Sequence, residues 1–176
     1  LKTDKKYNIL GVLDNSKQVG DEVLGIPVLG KHNATNLRLL FETGVKNAIN
    51  GIGAVTNHKS REIIYEELKS IGFNIPNLIH KNSSVEPSVV MGEGNQIMAN
   101  ATVGSDVSIS NNCIINSGVV LSHDSKVDNN VHLSPGAIIA GQVTIGNNTL
   151  IGMGTTVYLG VSIGSDVIIY NGLNIM

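Results

Sequence analysis

Residues 114–146 read IINSGVVLSHDSKVDNNVHLSPGAIIAGQVTIG, and every sixth residue, from Ile115 through Leu121, Val127, Leu133 and Ile139 to Ile145, is aliphatic. The phase runs outward without a break, back through Ile109, Val103, Ile97 and Met91 to Val85, and on through Ile151, Val157, Ile163 and Ile169 to Ile175. Four residues after most of these beats stands a small or β-branched residue: Val89, Ala101, Val107, Cys113, Val119, Ser125, Val131, Ala137, Val143, Thr149, Thr155, Val161 and Val167. Neither the 3.6 period of a helix nor the period of two of a lone strand sustains a repeat of six. A solenoid of short strands does, because each six-residue side sends one large and one small side chain inward. Three sides make a coil, so residues 18 apart stack directly above one another. The interior is filled, and chemistry is left to the outer corners and grooves.

The totals fit a narrow aliphatic core. Of 176 residues only 3% are aromatic and none is Trp, and the length suits one large or two small domains. A net charge of -2 offers no basic face for nucleic acid. The single cysteine, Cys113, excludes an intrachain disulfide and falls on an inward position, so a buried thiol is expected rather than a nucleophile. No apolar run approaches the ~18 residues of a membrane span, and no secretory signal opens the chain. A cytoplasmic protein without membrane insertion is therefore expected. The chain opens on Leu1 and stops at Met176, one residue after a solenoid beat, so the native protein is expected to extend further, with the N-terminal domain incomplete.

Residues 1–81 read as a small α/β substrate-binding domain, and 82–176 as the solenoid. Tyr7 to Leu13 is an apolar strand ending in Asp14-Asn15, and GIPVLG (25–30) is a turn-bounded extended piece. Asn36 to Phe41 has helical spacing, and Lys46 to Val55 reads as a strand entering a glycine turn at Gly51-Ile52-Gly53. Ser60 to Ser70 reads as an amphipathic helix with Ser60 as N-cap and Ile63, Ile64 and Leu68 inward, closed by Gly72. Phe73 to Ile79 is a further strand broken by Pro76. Alternating strands and helices predict a parallel α/β unit that binds ligands beyond the strand ends, at Asp14, Asn15 and Gly53. The plainer reading makes the glycines a simple turn.

Of the five histidines only His123 and His132 lie in the solenoid. His123 falls at a corner and is followed by Asp124; eighteen residues on is Gly141, which would leave an open, backbone-lined notch above it. An imidazole is a suitable base for an amine or hydroxyl, an acidic neighbour fixes its tautomer, and a backbone N–H can receive an oxyanion. His132 is half a coil away, so the two are expected to meet only across a subunit interface. The plainer reading is two exposed polar corner residues.

The chain resembles the hexapeptide-repeat acyltransferases. Within them it is similar to bacterial sugar acetyltransferases of the sialic-acid O-acetyltransferase type, which include N-acetyltransferases of nucleotide-linked 4-amino sugars. The resemblance rests on VLDN (12–15), GIPVLG (25–30), GIG followed by a helix with Arg61, NLIHKNSSVEPSV (77–89) and above all the 114–146 stretch. It implies a Rossmann-like domain ahead of a left-handed parallel β-helix, a homotrimer, and acetyl-CoA as co-substrate with no metal. It further implies His123 as general base oriented by Asp124, and Asn116 near the reacting sugar. His132, Gly141 and Met153 would lie along the acetyl-CoA groove, with the Gly141 amide on the thioester oxygen. Asn171 stands in that groove where the family has a glycine, and the family's G-x-G-G-H first loop is absent. The expected activity is acetyl transfer to the amino group of a nucleotide-linked amino sugar for bacterial surface glycans. A sialic-acid hydroxyl is the alternative, and a non-catalytic or metal-dependent solenoid a remote one.

Overall fold

A computed structural model of the chain describes residues 7–53 and 58–176. From Leu78 onward, two-residue strands recur every six residues and stack as three parallel sheets. One runs from Leu78–Ile79 through Ile114–Ile115 and His132–Leu133 to Ile168–Ile169. The second runs from Ser84–Val85 through Val120–Leu121 and Ile138–Ile139 to Asn174–Ile175, and the third from Val90–Met91 to Ser162–Ile163. Each strand pairs with the one 18 residues away, as in Ile115 with Leu133, Leu121 with Ile139 and Val127 with Ile145. The result is a parallel β-helix whose core is the six-residue ladder: Ile115, Leu121, Leu133, Ile139, Ile145 and Ile151 are all fully buried. Each such side chain contributes ~1.5–3 kcal/mol relative to exposure, so the ladder rather than the short strands holds the coils.

The small positions are buried too, and the polar ones reuse a single bond. The Ser125, Thr149 and Thr155 hydroxyls donate to the carbonyls of Ala140, Gly164 and Tyr170, each 15 residues on. Cys113 follows them, its Sγ 2.9 Å from the Asp128 carbonyl. It is fully buried as expected, and desolvation pushes its thiol up to about 12.

A third phase of six sets the corners. From Gly94 to Gly172 every sixth residue has φ between 57° and 72°. Gly, Asn and Asp fill these left-handed positions, as sterics favour, except for Gln142.

The sequence assigned Phe73 to Ile79 to the N-terminal domain. Leu78–Ile79 instead pairs with Gln96–Ile97 as the first strand of the solenoid. Where a break at 81/82 was read, contacts divide the chain differently. One compact unit runs to Lys46 and takes in Ile71–Phe73; the other holds Asn47–Ser70 and Asn74–Met176.

In the first unit β1 (Val12–Leu13), β2 (Glu22–Val23) and β3 (Ile26–Gly30) form a sheet of order β1-β3-β2. It is mixed, not parallel: β1 and β3 are parallel, while β2 and β3 form a hairpin. Leu24 and Gly25 both take positive φ (52° and 70°) at the turn, as a tight hairpin requires. Helix α1 (Ala34–Glu42) is capped by the Asn33 side chain, which accepts the Asn36 N–H at 2.8 Å. Phe41 meets Phe73 edge-on with ring centroids 5.1 Å apart.

In the second unit, residues 46–53 form no strand; Asn47 makes one bridge to Asn74. Residues 54 and 55 of the expected strand lie outside the described residues. Helix α2 (His58–Ile71) starts two residues before Ser60, which is therefore inside the helix and not its cap. Ile63, expected inward, is 64% exposed, and the buried positions are Arg61, Tyr65 and Leu68. This face meets polar groups of the first coils. The Tyr65 hydroxyl donates to Glu93 at 3.1 Å and Lys69 pairs with Glu93 at 2.6 Å. Burial would raise the Glu93 carboxyl, but the bonds from Lys69 and Tyr65 outweigh it and hold it below the usual range.

Candidate active site

Strand Val120–Leu121 ends at the corner where His123 and Asp124 turn the chain. Asp124 takes the left-handed position (φ 58°), with its N–H on the Ser105 carbonyl at 3.0 Å. Its Oδ2 lies 2.8 Å from His123 Nδ1, and both side chains are about half exposed. The carboxylate is acceptor-only, so Nδ1 carries the shared proton, and in the neutral imidazole the lone pair is therefore on Nε2. Among the described residues Nε2 has no hydrogen-bond partner.

One coil above stands Gly141. A Cβ built there would lie 2.6 Å from His123 Cε1 and 2.7 Å from Nε2. The notch expected to be open is thus filled by the imidazole itself, and Gly141 is buried beneath it. Only glycine lets the ring lie this close. The Gln142 N–H holds the His123 carbonyl at 2.9 Å and fixes the corner. Among the described residues the Gly141 N–H makes no hydrogen bond. At another corner, the equivalent amides of Asn111 and Asn129 donate to Asn Oδ1 atoms of the next coil at 3.1 Å. The base and an unengaged backbone donor are therefore side by side.

His132 is not the exposed corner residue read from spacing. It begins strand His132–Leu133 and is 2% exposed. Its Nε2 lies 3.1 Å from Asn116 Nδ2. The Ser117 N–H donates to Asn116 Oδ1 at 2.8 Å, which fixes the amide with its NH2 toward the ring. His132 Nε2 therefore accepts, and the structure brings together these two residues that the sequence gave separate roles.

Met153 is 52% exposed, and its N–H donates to Asn171 Oδ1 at 2.8 Å. Asn171 thus caps the corner one coil below, in the position where a glycine was expected. Asp14 and Asn15 are engaged within their own loop. Asp14 Oδ1 accepts both the N–H and hydroxyl of Ser16 at 2.7 Å, which lowers the Asp14 carboxyl. Asn15 Oδ1 accepts the His32 N–H at 2.8 Å. Gly53 belongs to the other unit, and a Cβ there would meet nothing within 4 Å.

One anchoring residue was not read as such. Arg61, 2% exposed, donates to the carbonyls of Asn50 (3.1 Å), Ile52 (2.9 Å), Gly94 (3.4 Å) and Asn112 (3.3 Å). Burial lowers its guanidinium to about 10, which leaves it charged at neutral pH. Asn50 returns a bond to the Arg61 carbonyl at 2.8 Å, and Gln96 holds the Asn50 carbonyl at 2.7 Å. The segment ahead of Gly53 is thereby tied to the first coils. Among the described residues no three His, Cys, Asp or Glu side chains converge as a metal site, and no helix is long and apolar enough to cross a membrane.

The family model for bacterial transferase hexapeptide (six repeats) matches residues 88–123 and 124–159. Perosamine N-acetyltransferase from Caulobacter crescentus, solved as a histidine-to-asparagine variant with CoA and GDP-perosamine, is 32% identical to this chain. The match covers 94% of this chain and 76% of that one, with a TM-score of 0.87. The acetyltransferase domain of PglB from Neisseria gonorrhoeae FA1090, solved with acetyl coenzyme A, is 31% identical over 94% of this chain and 78% of its own, with a TM-score of 0.79. WeeI from Acinetobacter baumannii AYE shares the fold, with a TM-score of 0.68 at 17% identity over 99% of this chain and 84% of its own. The sequence matches no curated protein. With its six-residue ladder and these relatives, the chain belongs to the hexapeptide-repeat family of acetyl-CoA-dependent sugar acetyltransferases.

Proposed function

We propose that the protein transfers the acetyl group of acetyl-CoA to the amino group of a nucleotide-linked amino sugar, in the synthesis of a bacterial surface glycan. The observation that carries this is the His123 imidazole, held at Nδ1 by Asp124 and laid against Gly141 with Nε2 unengaged. The neutral amine attacks the thioester carbonyl and a C–N bond forms. His123 Nε2 takes the proton the nitrogen sheds, and Asp124 stabilises the imidazolium. The Gly141 N–H donates to the oxyanion. The intermediate collapses, the C–S bond breaks, and the leaving sulfur takes the proton back from His123 as CoA thiol. No covalent acyl-enzyme is required, and the fully buried Cys113 is not a nucleophile in this scheme.

Acetyl-CoA runs along the corners that carry Gly141, Met153 and Asn171. His132 acts from beneath the surface, through Asn116, which reaches toward the sugar. The Caulobacter relative bound to CoA and GDP-perosamine supports an amino sugar carried on a nucleotide. The Gly53 loop, in the same compact unit as the solenoid, contributes acceptor contacts, and the N-terminal domain that carries Asp14 and Asn15 is Rossmann-like. The solenoid is left-handed, and three copies assemble in the cytoplasm with the cofactor groove between neighbours. Exposed Ile138, Tyr158, Leu159 and Tyr170 supply apolar surface for that packing.

A thiol-release assay with acetyl-CoA against nucleotide-linked amino sugars, their hydroxyl counterparts and sialic acids tests the reading. Release with the amino sugars, and a product carrying one added acetyl group on nitrogen, is expected. Release with the hydroxyl acceptors alone would overturn it.

A further inference from the structure

We propose that Gln142 is an acceptor-positioning residue whose side-chain amide hydrogen-bonds a sugar hydroxyl next to the reacting amine; this rests on the proposed function above. At each of the other thirteen left-handed corners from Gly94 to Gly172 the chain uses Gly, Asn or Asp, and Gln142 alone departs, at φ 59°. These three residue types tolerate that region; a longer side chain is strained there. Folding therefore gains nothing from glutamine at this corner. Strain of this kind persists where function repays it.

The location fits. Gln142 stands one coil above Asp124, follows Gly141 directly, and its N–H holds the His123 carbonyl at 2.9 Å. Its side chain is exposed and makes no hydrogen bond among the described residues. A glutamine amide offers both donors and an acceptor on a stem one methylene longer than asparagine. Those are the groups a sugar hydroxyl engages, and the extra methylene lets them reach further from this exposed corner than an asparagine amide would.

The test combines melting temperature with separate KM values for acceptor and acetyl-CoA in the wild type, Gln142→Gly and Gln142→Asn. Both substitutions relieve the strained corner, so both should melt higher, by roughly 2–4 °C for Gly. Both should raise the acceptor KM, about tenfold for Gly, the loss of one hydrogen bond. The acetyl-CoA KM and kcat should stay close to wild type. Gln142→Glu, which keeps length and strain, should melt like the wild type and recover part of the acceptor KM through its oxygens. A higher melting temperature with an unchanged acceptor KM would overturn the proposal, as would a rise confined to the acetyl-CoA KM. A wild type that acetylates no amino sugar would overturn the proposed function and this inference together, whereas an active wild type with unmoved KM values would overturn this inference alone.

Discussion

Replacing Gly141 by alanine adds a single methyl group at the point where the imidazole rests. That carbon would lie 2.6 Å from His123 Cε1 and 2.7 Å from Nε2. Carbon atoms pack at about 3.5–4.0 Å, so the ring must retreat by roughly 1 Å. The backbone need not move, because the clash is with an exposed side chain (56% of its surface open to solvent) that can swing outward. The fold should therefore hold, with a stability change within about 0.5 kcal/mol. Catalysis should not: a base misplaced by ~1 Å costs on the order of 100-fold. Steady-state thiol release should show kcat reduced about 100-fold, with the melting temperature almost unchanged. An alanine variant turning over within about threefold of wild type, well short of that misplacement cost, would refute the idea that ring placement on Gly141 sets the rate.

Three further outcomes follow from the same geometry. His123→Ala should lower kcat by roughly 10²–10⁴ without lowering thermal stability; Asp124→Asn, which suits the left-handed corner equally well, should lose less in the same assay. Arg61→Met takes the side-chain donor from the Ile52, Gly94 and Asn112 carbonyls and should cost roughly 3 kcal/mol in urea unfolding, and Arg61→Lys should not recover it, because one ammonium cannot span those carbonyls. The Glu93 carboxyl is held below its usual range, so its stabilisation is present above the unfolded pKa and is lost as pH falls through the folded one. The stability gap between wild type and Glu93→Gln should accordingly be full at neutral pH and shrink under strong acid in denaturant titrations.

The solenoid was legible in the sequence because its periodicity is enforced at every coil: one wrong inward residue among Ile115, Leu133 and Ile151 would break the stack. The His123–Asp124–Gly141 column was legible for the same reason, since a spacing of 18 is vertical adjacency. What spacing could not give was side-chain placement, and so the open notch turned out to hold the imidazole. His132 looked like a corner residue by count, but it lies on the outward side of a strand that is buried. Helix α2 was read by hydrophobicity, which turned Ile63 inward. The surface it meets is made of carbonyls and Glu93, so Arg61, Tyr65 and Lys69 face it instead. Leu24 hid the first hairpin, because leucine is not a residue that marks a left-handed turn. The left-handed corners were a third phase of six in plain view at Asn100, Asp106 and Asn112, and noticing it would have singled out Gln142.

The most direct measurement is a crystal structure of the protein with CoA and a nucleotide-linked amino sugar bound together. The acceptor nitrogen should lie within about 3 Å of His123 Nε2, the reach of proton transfer, with the CoA sulfur beside the Gly141 amide. Both ligands bound with the amine remote from His123, in a protein that still releases thiol, would contradict the account.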